Sequence, residues 1–363
     1  MLSYEERTKD YAEKISAFKV KQSQDYEFKK RYAEVRINEF INECDRRELN
    51  YHVSVGGLDS ITLYLFIKSL GHDVPGVTVS SLEDKSIQEV HNKLGLIKLK
   101  PYKNKAEIIR EFGFPVLSKE IAAKIELLQN PSEQNKTVRH AIITGETGEY
   151  GGFRKGTRMK MSQKWLNLFG GYENENENVN YKIPPFKVSS KCCYYLKEKP
   201  ADDWAKEHNS VPFLGLMASE GGRREKSLMI NGCNYFGKST IRSAPFAIFN
   251  RQDLLQLALE LNVPIPEIYG KIEKKPDGTL YTTKAQRTGC SMCGFGIHLE
   301  GRPHRFDYLR QSNNKEWDFW MNKVCVDDDG TQYGWGRVLD YIGIEWEDDV
   351  FDNPQMNIFD FLE

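Results

Sequence analysis

The sequence has no run of about 18 apolar residues, so nothing in it reads as a transmembrane helix, and no membrane association is expected. It also lacks an excess of charge. Its 51 Lys and Arg stand against 52 Asp and Glu, for a net −1. That balance argues against a generically basic nucleic-acid coat and against an acidic tail protein. The first residues, MLSYEERTKDYAEK, lack the apolar stretch of a secretory signal, so a cytoplasmic protein is expected. No internal repeat is visible. What the chain does have is 363 residues, 39% of them hydrophobic and 12% aromatic, which excludes wholesale disorder and suggests two domains or one large domain with extensions. It also has seven cysteines. In a reducing compartment these are not a disulfide framework, and clustered ones point to metal or catalysis.

Residues 1–48 are charge-rich and read as helix. Ile37, Phe40, Ile41 and Cys44 recur at helical spacing as one apolar stripe, which predicts a docking helix preceded by a more mobile charged leader. Strand and helix patterns then alternate. Strands are expected at 51–55, 76–79 and 96–99, and helices at 58–67, 86–94 and 105–112. The first half therefore reads as α/β with a parallel sheet. His140–Thr144 (HAIIT) and 212–218 (PFLGLMA) are further strand candidates. Residues 170–180, GGYENENENVN, are too polar for a core and read as a surface loop. A helix is expected over 250–262, with Asn250 as its N-cap and Pro264 beyond its end. Lys275-Pro-Asp-Gly278 reads as loop, and the aromatic-rich residues 301–363 are expected to pack on the body.

The loop after the first strand carries chemistry. Gly56-Gly57-Leu58-Asp59-Ser60 joins a strand to a helix, where glycines let backbone approach a phosphate and helix N-terminal N–H groups bind the anion. Ser60 adds a hydroxyl donor. Asp59 is suited to positioning the loop or a Mg²⁺ ion. The spacing is neither the P-loop nor the dinucleotide fingerprint. The cysteines form a second constellation. Cys192-Cys193 is an adjacent pair, Cys290-x-x-Cys293 lies far downstream, and Cys233 sits between them. Thiolates suit zinc and iron–sulfur clusters, and spacing alone does not choose between the two.

The loop resembles the Ser-Gly-Gly-x-Asp-Ser segment of the PP-loop, or N-type ATP pyrophosphatase, group. One departure is that Val55 stands where that motif has its first serine, which removes a hydroxyl contact. More of the chain, roughly residues 50–345, resembles the phosphoadenosine phosphosulfate (PAPS) reductase family, in particular its phage and prophage members. The matching segments are GFPVLSKE, PPFKVSSKCCYYLKEKPA, LGLMASEGGRREKS, NGCNYF, TGCSMCGFGIHLE and GRVLDYIGI, in that order. The resemblance implies a Rossmann-like, adenine nucleotide alpha hydrolase-like parallel sheet flanked by helices, with a cysteine-rich cluster-binding part and helical extensions. It divides the chain into an N-terminal extension at 1–48, the PP-loop domain at 49–300 and a C-terminal extension at 301–363. It implies a [4Fe–4S] cluster on Cys192, Cys193, Cys290 and Cys293. It also implies an adenine nucleotide held by Ser54, Gly56, Gly57, Asp59, Ser60 and Glu83, with Asp59, Ser60, Arg223 and Arg224 in the catalytic set.

The arginines of Gly221-Gly222-Arg223-Arg224 suit phosphate or sulfate oxygens. A second basic stretch, Arg154, Lys155, Arg158, Lys160 and Lys164 with Phe153 and Trp165, reads either as a nucleic-acid or nucleotide contact or as a charged loop. Cys233 reads as a further ligand, a sulfur carrier or a buried thiol. His298 and His304 read as structural.

Three activities compete. The first is adenylation: ATP with Mg²⁺ activates an acceptor oxygen, pyrophosphate leaves, and a sulfur donor protein completes a sulfur transfer. The second is reduction of PAPS or adenylyl sulfate by a cysteine thiolate with a thioredoxin-like reductant. Against it, the chain ends NIFDFLE without the C-terminal cysteine of such reductases, and Cys325, which reads as part of a polar turn, is a weak substitute. The third is a nucleotide-binding regulator without catalysis. A homodimer is compatible with each.

Overall fold

The computed structural model describes residues 4–79, 83–148, 159–172 and 180–351, with the side chains of 4–8 and of Arg223 left aside. Phe153, Arg154, Lys155 and Arg158, much of the polar loop at 170–180, and the chain from 352 onward lie outside the described residues. The chain divides into two compact units, each made of two segments. Met1–Pro101 joins Lys197–Cys290, and Tyr102–Leu196 joins Ser291–Glu363.

The first unit begins with two helices, α1 (Tyr4–Gln22) and α2 (Tyr26–Arg46). The charged leader expected before Tyr32 is thus helical, and Asp25 starts α2 by accepting from the Phe28 N–H. The stripe Ile37, Phe40, Ile41 and Cys44 is buried as its spacing predicts, and the Phe40 ring meets Phe213 edge-on at 4.8 Å. Strand β1 (Asn50–Ser54) leads through the glycine loop into α3 (Leu58–Ser69). β2 (Gly76–Val79), α4 (Lys85–Lys93) and β3 (Ile97–Leu99) follow. After the second unit's first segment come α5 (Lys199–Glu207), β4 (Ser210–Leu214), α6 (Gly222–Asn231), β5 (Asn234–Phe236), β6 (Ile241–Ser243) and α7 (Arg251–Glu260).

These strands form a six-stranded sheet in the order β3-β2-β1-β4-β6-β5. Every pairing is parallel except β5 with β6, so the α/β fold with a mostly parallel sheet is as the alternation predicts. Val53 of β1 is opposite Gly76 on one side and Phe213 on the other, which sets the register at the centre. Helix α3 is buried around most of its circumference, through Leu58, Ile61, Leu63, Tyr64, Phe66 and Ile67, as a helix enclosed by its neighbours must be. A hairpin of β7 (Ile272–Lys274) and β8 (Leu280–Thr282) turns at Lys275–Gly278, where Gly278 takes the left-handed φ of +90° that the turn requires.

The second unit is mainly helical. Its core is aromatic: Phe114 meets Trp335 edge-on at 5.0 Å, and Phe186 meets Tyr341 at 5.4 Å. The helix Lys105–Phe112 is as predicted and is opened by a reciprocal cap between Asn104 and Glu107. Two expectations are corrected in this unit. HAIIT is not a strand but the end of the helix Lys136–Thr144, closed by Gly145 in the left-handed region. A five-residue apolar run fits either period. Cys325 is not in a turn. It lies buried on the two-residue strand Cys325–Val326, paired with Gln332–Tyr333. In the first unit PFLGLMA is strand only as far as Leu214, and the next residues serve the site. Among the described residues no helix is long and apolar enough to cross a membrane.

Candidate functional site

In a parallel sheet all the strand C-termini open on one edge, and ligands bind where the strand order reverses. Here that point is between β1 and β4, since β2 and β3 extend the sheet on one side and β6 and β5 on the other. A cavity of about 530 Å³ opens there. It is lined by Ser54 at the end of β1 and by Val55, Gly56, Gly57, Asp59 and Ser60 beyond it, by Leu214 to Leu216 at the end of β4, and by charged residues from α6, α7 and the segment at 286–288. Among the described residues, the lining belongs to the first unit.

Two glycines are needed for close approach. Gly57 is the N-cap of α3, and a Cβ on it would fall 2.5 Å from the Tyr269 hydroxyl. A Cβ on Gly215 would meet the Ser60 backbone at 2.9 Å, so the loop after β4 passes against the head of α3. The loop is held by its own hydrogen bonds. The Gly56 N–H donates to Ser60 Oγ at 2.7 Å, and the Ser60 hydroxyl donates to the Gly57 carbonyl at 3.0 Å. The Leu58 N–H, at the head of α3, donates to the Tyr269 hydroxyl at 3.2 Å, and that oxygen is 2.7 Å from Thr288 Oγ1. Burial pushes the Tyr269 phenol up, so it remains a neutral hydroxyl. Val55 is buried in the core, and its N–H donates to the Val77 carbonyl.

The charged groups are paired in the cavity. Asp59 accepts from Arg251 Nη1 at 2.7 Å, and Arg251 Nη2 donates to the Gln286 carbonyl. Burial raises the Asp59 carboxyl above its ordinary range, and the Arg251 guanidinium pulls it back. Glu220, with only 7% of its side chain exposed, pairs with Arg224 at 2.7 Å and with Arg287 at 3.5 Å. Glu83 pairs with Lys197 at 2.7 Å, and its neighbour Asp84 caps α4 through Ser86. Arg251 Nε is buried without a hydrogen-bond partner among the described residues. Three guanidinium groups and a lysine thus surround the glycine loop, each facing a carboxylate that a polyanion would have to displace.

Of the residues expected from sequence, Ser54, Gly56, Gly57, Asp59, Ser60, Glu83 and Arg224 all line this one cavity. The Arg223 side chain lies outside the described residues. Sequence reasoning missed Arg251, Tyr269, Glu220, Arg287, Thr288, Lys197 and, just outside the lining, His91. Two of these had a signal. Arg251 directly follows the Asn250 cap, and His91 extends the buried stripe Ile87 and Val90 of α4.

The cysteines behave differently. Cys192 is buried against Ile108 and Leu196, while Cys193, Cys290 and Cys293 are half-buried. The Cys293 carbonyl accepts from Arg305 Nη1 at 3.2 Å. Cys290 ends the first unit, and the other three belong to the second. Among the described residues no group of three or more His, Cys, Asp or Glu side chains is placed to hold one metal ion. The cysteine-rich cluster site expected from sequence is therefore not evident as a ligand set.

Cys233 is buried beside the Tyr32 phenol, and burial pushes its thiol up to about 11, which suits a structural thiol and not a sulfur carrier. Burial likewise raises Cys325. His304 caps the helix Arg305–Ser312 together with Asp307, the structural role expected of it. His298 stacks edge-on against Trp165 at 5.5 Å, and Lys164 lies over the same indole at 4.7 Å.

Comparison with models of known protein families finds no match. Comparison with curated proteins finds no relative.

Proposed function

We propose that this chain is a PP-loop protein of the PAPS reductase type that binds an adenine nucleotide and acts as an ATP pyrophosphatase, in adenylating chemistry coupled to sulfur transfer. The observation that carries the reading is the position of Gly56-Gly57-Leu58-Asp59-Ser60. The loop lies at the strand-order reversal, on the head of α3, in a cavity with Arg224, Arg251 and Arg287. Backbone N–H groups and guanidinium forks are the donors that a polyphosphate requires. In the reaction an acceptor oxygen attacks the α-phosphorus of ATP, the bond to the β-phosphate oxygen breaks, and pyrophosphate leaves with the charge it has gained. A sulfur nucleophile then displaces AMP from the activated acceptor. The protein's share is positioning and stabilisation of that charge. A bound Mg²⁺ would add charge neutralisation near Asp59.

The [4Fe–4S] assignment to Cys192, Cys193, Cys290 and Cys293 rests on the family resemblance, since cysteine spacing by itself fits zinc as well. The reductase alternative is weaker, because Cys325 is buried with its thiol raised, the opposite of an attacking thiolate. The expected location is the cytoplasm. The reading is tested on anaerobically purified protein by calorimetry with ATP and by pyrophosphate release, with iron and sulfide counted on the same sample. Sulfite release from PAPS would move the assignment to the reductase, and ATP binding without turnover would leave a regulator. No binding of either nucleotide overturns the proposal.

A further inference from the structure

His91 is 2% exposed and lies on α4, behind the glycine loop and outside the cavity lining. Its Nε2 is 2.7 Å from the Gly56 carbonyl oxygen, and its Nδ1 is 3.4 Å from Thr78 Oγ1. A carbonyl only accepts, so Nε2 carries the proton. The bare Nδ1 then takes the Thr78 hydroxyl hydrogen, which fixes the tautomer. Burial disfavours the charged ring, in keeping with a single N–H.

The consequence falls on the next atom of the chain. In a trans peptide the carbonyl and the following N–H point in opposite directions. With the Gly56 oxygen held towards His91, the Gly57 N–H is turned to the other side, where Gly57 lines the cavity. That N–H has no acceptor among the described residues. This peptide also has a glycine on each side, so rotation meets little steric resistance. Rotated by half a turn, it would present a carbonyl oxygen to the cavity and repel an anion.

We propose that His91 is a positioning residue, holding the Gly56–Gly57 peptide so that the Gly57 N–H faces the cavity as an anion donor. This rests on the reading of the cavity as a polyphosphate site. The test uses inorganic pyrophosphate and ATP on the full chain, with calorimetric affinity and the split between KM and kcat as readouts. His91→Leu removes the donor, and the affinity for pyrophosphate is expected to fall about tenfold or more, as for a lost hydrogen bond to a charged group. His91→Gln, which keeps an N–H, is expected to restore much of it at an unchanged melting temperature. Thr78→Val, at a residue that also lines the cavity, leaves His91 Nδ1 without its donor and is expected to weaken binding in a protein that folds even if His91→Leu does not.

Wild-type affinity in both His91→Leu and Thr78→Val overturns this inference and leaves the proposed function standing. If the wild-type chain binds neither pyrophosphate nor ATP, the proposed function falls. The anion-donor role falls with it, and crystal structures of the wild type and His91→Leu then decide the remaining part, that His91 holds the peptide. A peptide flipped in the variant supports it, and an unchanged peptide overturns it.

Discussion

Ser60 and Tyr269 spend their hydroxyls on the loop itself, and this changes what each side chain contributes. Ser60 bonds both Gly56 N–H and Gly57 carbonyl, so it acts first as the clasp of the turn. Tyr269 places a neutral oxygen on the Leu58 N–H, a position that a phosphate oxygen would also favour at a helix head. A ligand entering here exchanges hydrogen bonds, and the net gain is smaller than the number of donors suggests. Buried on β1, His52 carries a different cost. Its ring is buried between the Ser210 hydroxyl at 2.8 Å and the Trp204 indole, and burial lowers its pKa to about 4 from the ordinary 6.5. A histidine with a depressed folded pKa binds fewer protons folded than unfolded. Its contribution is complete above the unfolded value and is withdrawn as pH falls through the window down to the folded one. His91 is shifted in the same direction. The chain is therefore expected to lose roughly 3 kcal/mol at His52 alone on acidification. Urea denaturation of the wild type and His52→Gln at neutral and mildly acidic pH checks this. An equal acid loss in both proteins would place the effect on other groups.

At the scale of elements, α2 and α7 are joined by a buried ion pair that also sets the site. Lys29 Nζ is 2.9 Å from Asp253, with 4% and 8% of the two side chains exposed. The same carboxylate accepts the Asn250 N–H at 2.7 Å, while the Asn250 side chain caps Gln252 and Asp253. Arg251, the partner of Asp59, is the first residue of the helix so capped. Asp253→Ala removes a cap and strands a buried ammonium, with an expected cost of about 3–5 kcal/mol. Adding Lys29→Met is expected to recover a large part of that, since the unpaired charge goes with it. A double-mutant cycle by chemical denaturation measures the coupling, and strictly additive losses would show that the pair acts only as two independent polar groups. These elements were legible to different degrees. The stripe of α2 and the cap at Asn250 are local patterns, read within a few residues. HAIIT and Cys325 were misread because a run of five residues, or a strand of two, contains no full period, and only tertiary partners decide it.

At the scale of the whole molecule, the candidate site divides in the same way. Gly56 to Ser60 are contiguous, so their strand–loop–helix setting was readable from the sequence. Arg251, Tyr269 and Arg287 reach the loop only because the first unit resumes at Lys197 after the chain has built the first part of a second one, and no pattern in the sequence marks that return. The cysteine pattern remains a sequence expectation, because Cys290 and the other three fall in different units and spacing along the chain says nothing of their approach. Because every described lining residue belongs to the first unit, ligand protection has a defined map. Under hydrogen exchange with saturating pyrophosphate, slowing is expected in peptides covering 54–60, 214–224 and 286–288. Peptides from the second unit, such as Lys105–Phe112 and Trp335–Ile342, are expected to exchange as in the free protein, apart from the global stabilisation that any bound ligand brings. Protection centred on the second unit would move the anion site away from the glycine loop. Protection limited to 286–288 would make the exposed Arg287 a surface contact and leave the head of α3 without a part in binding.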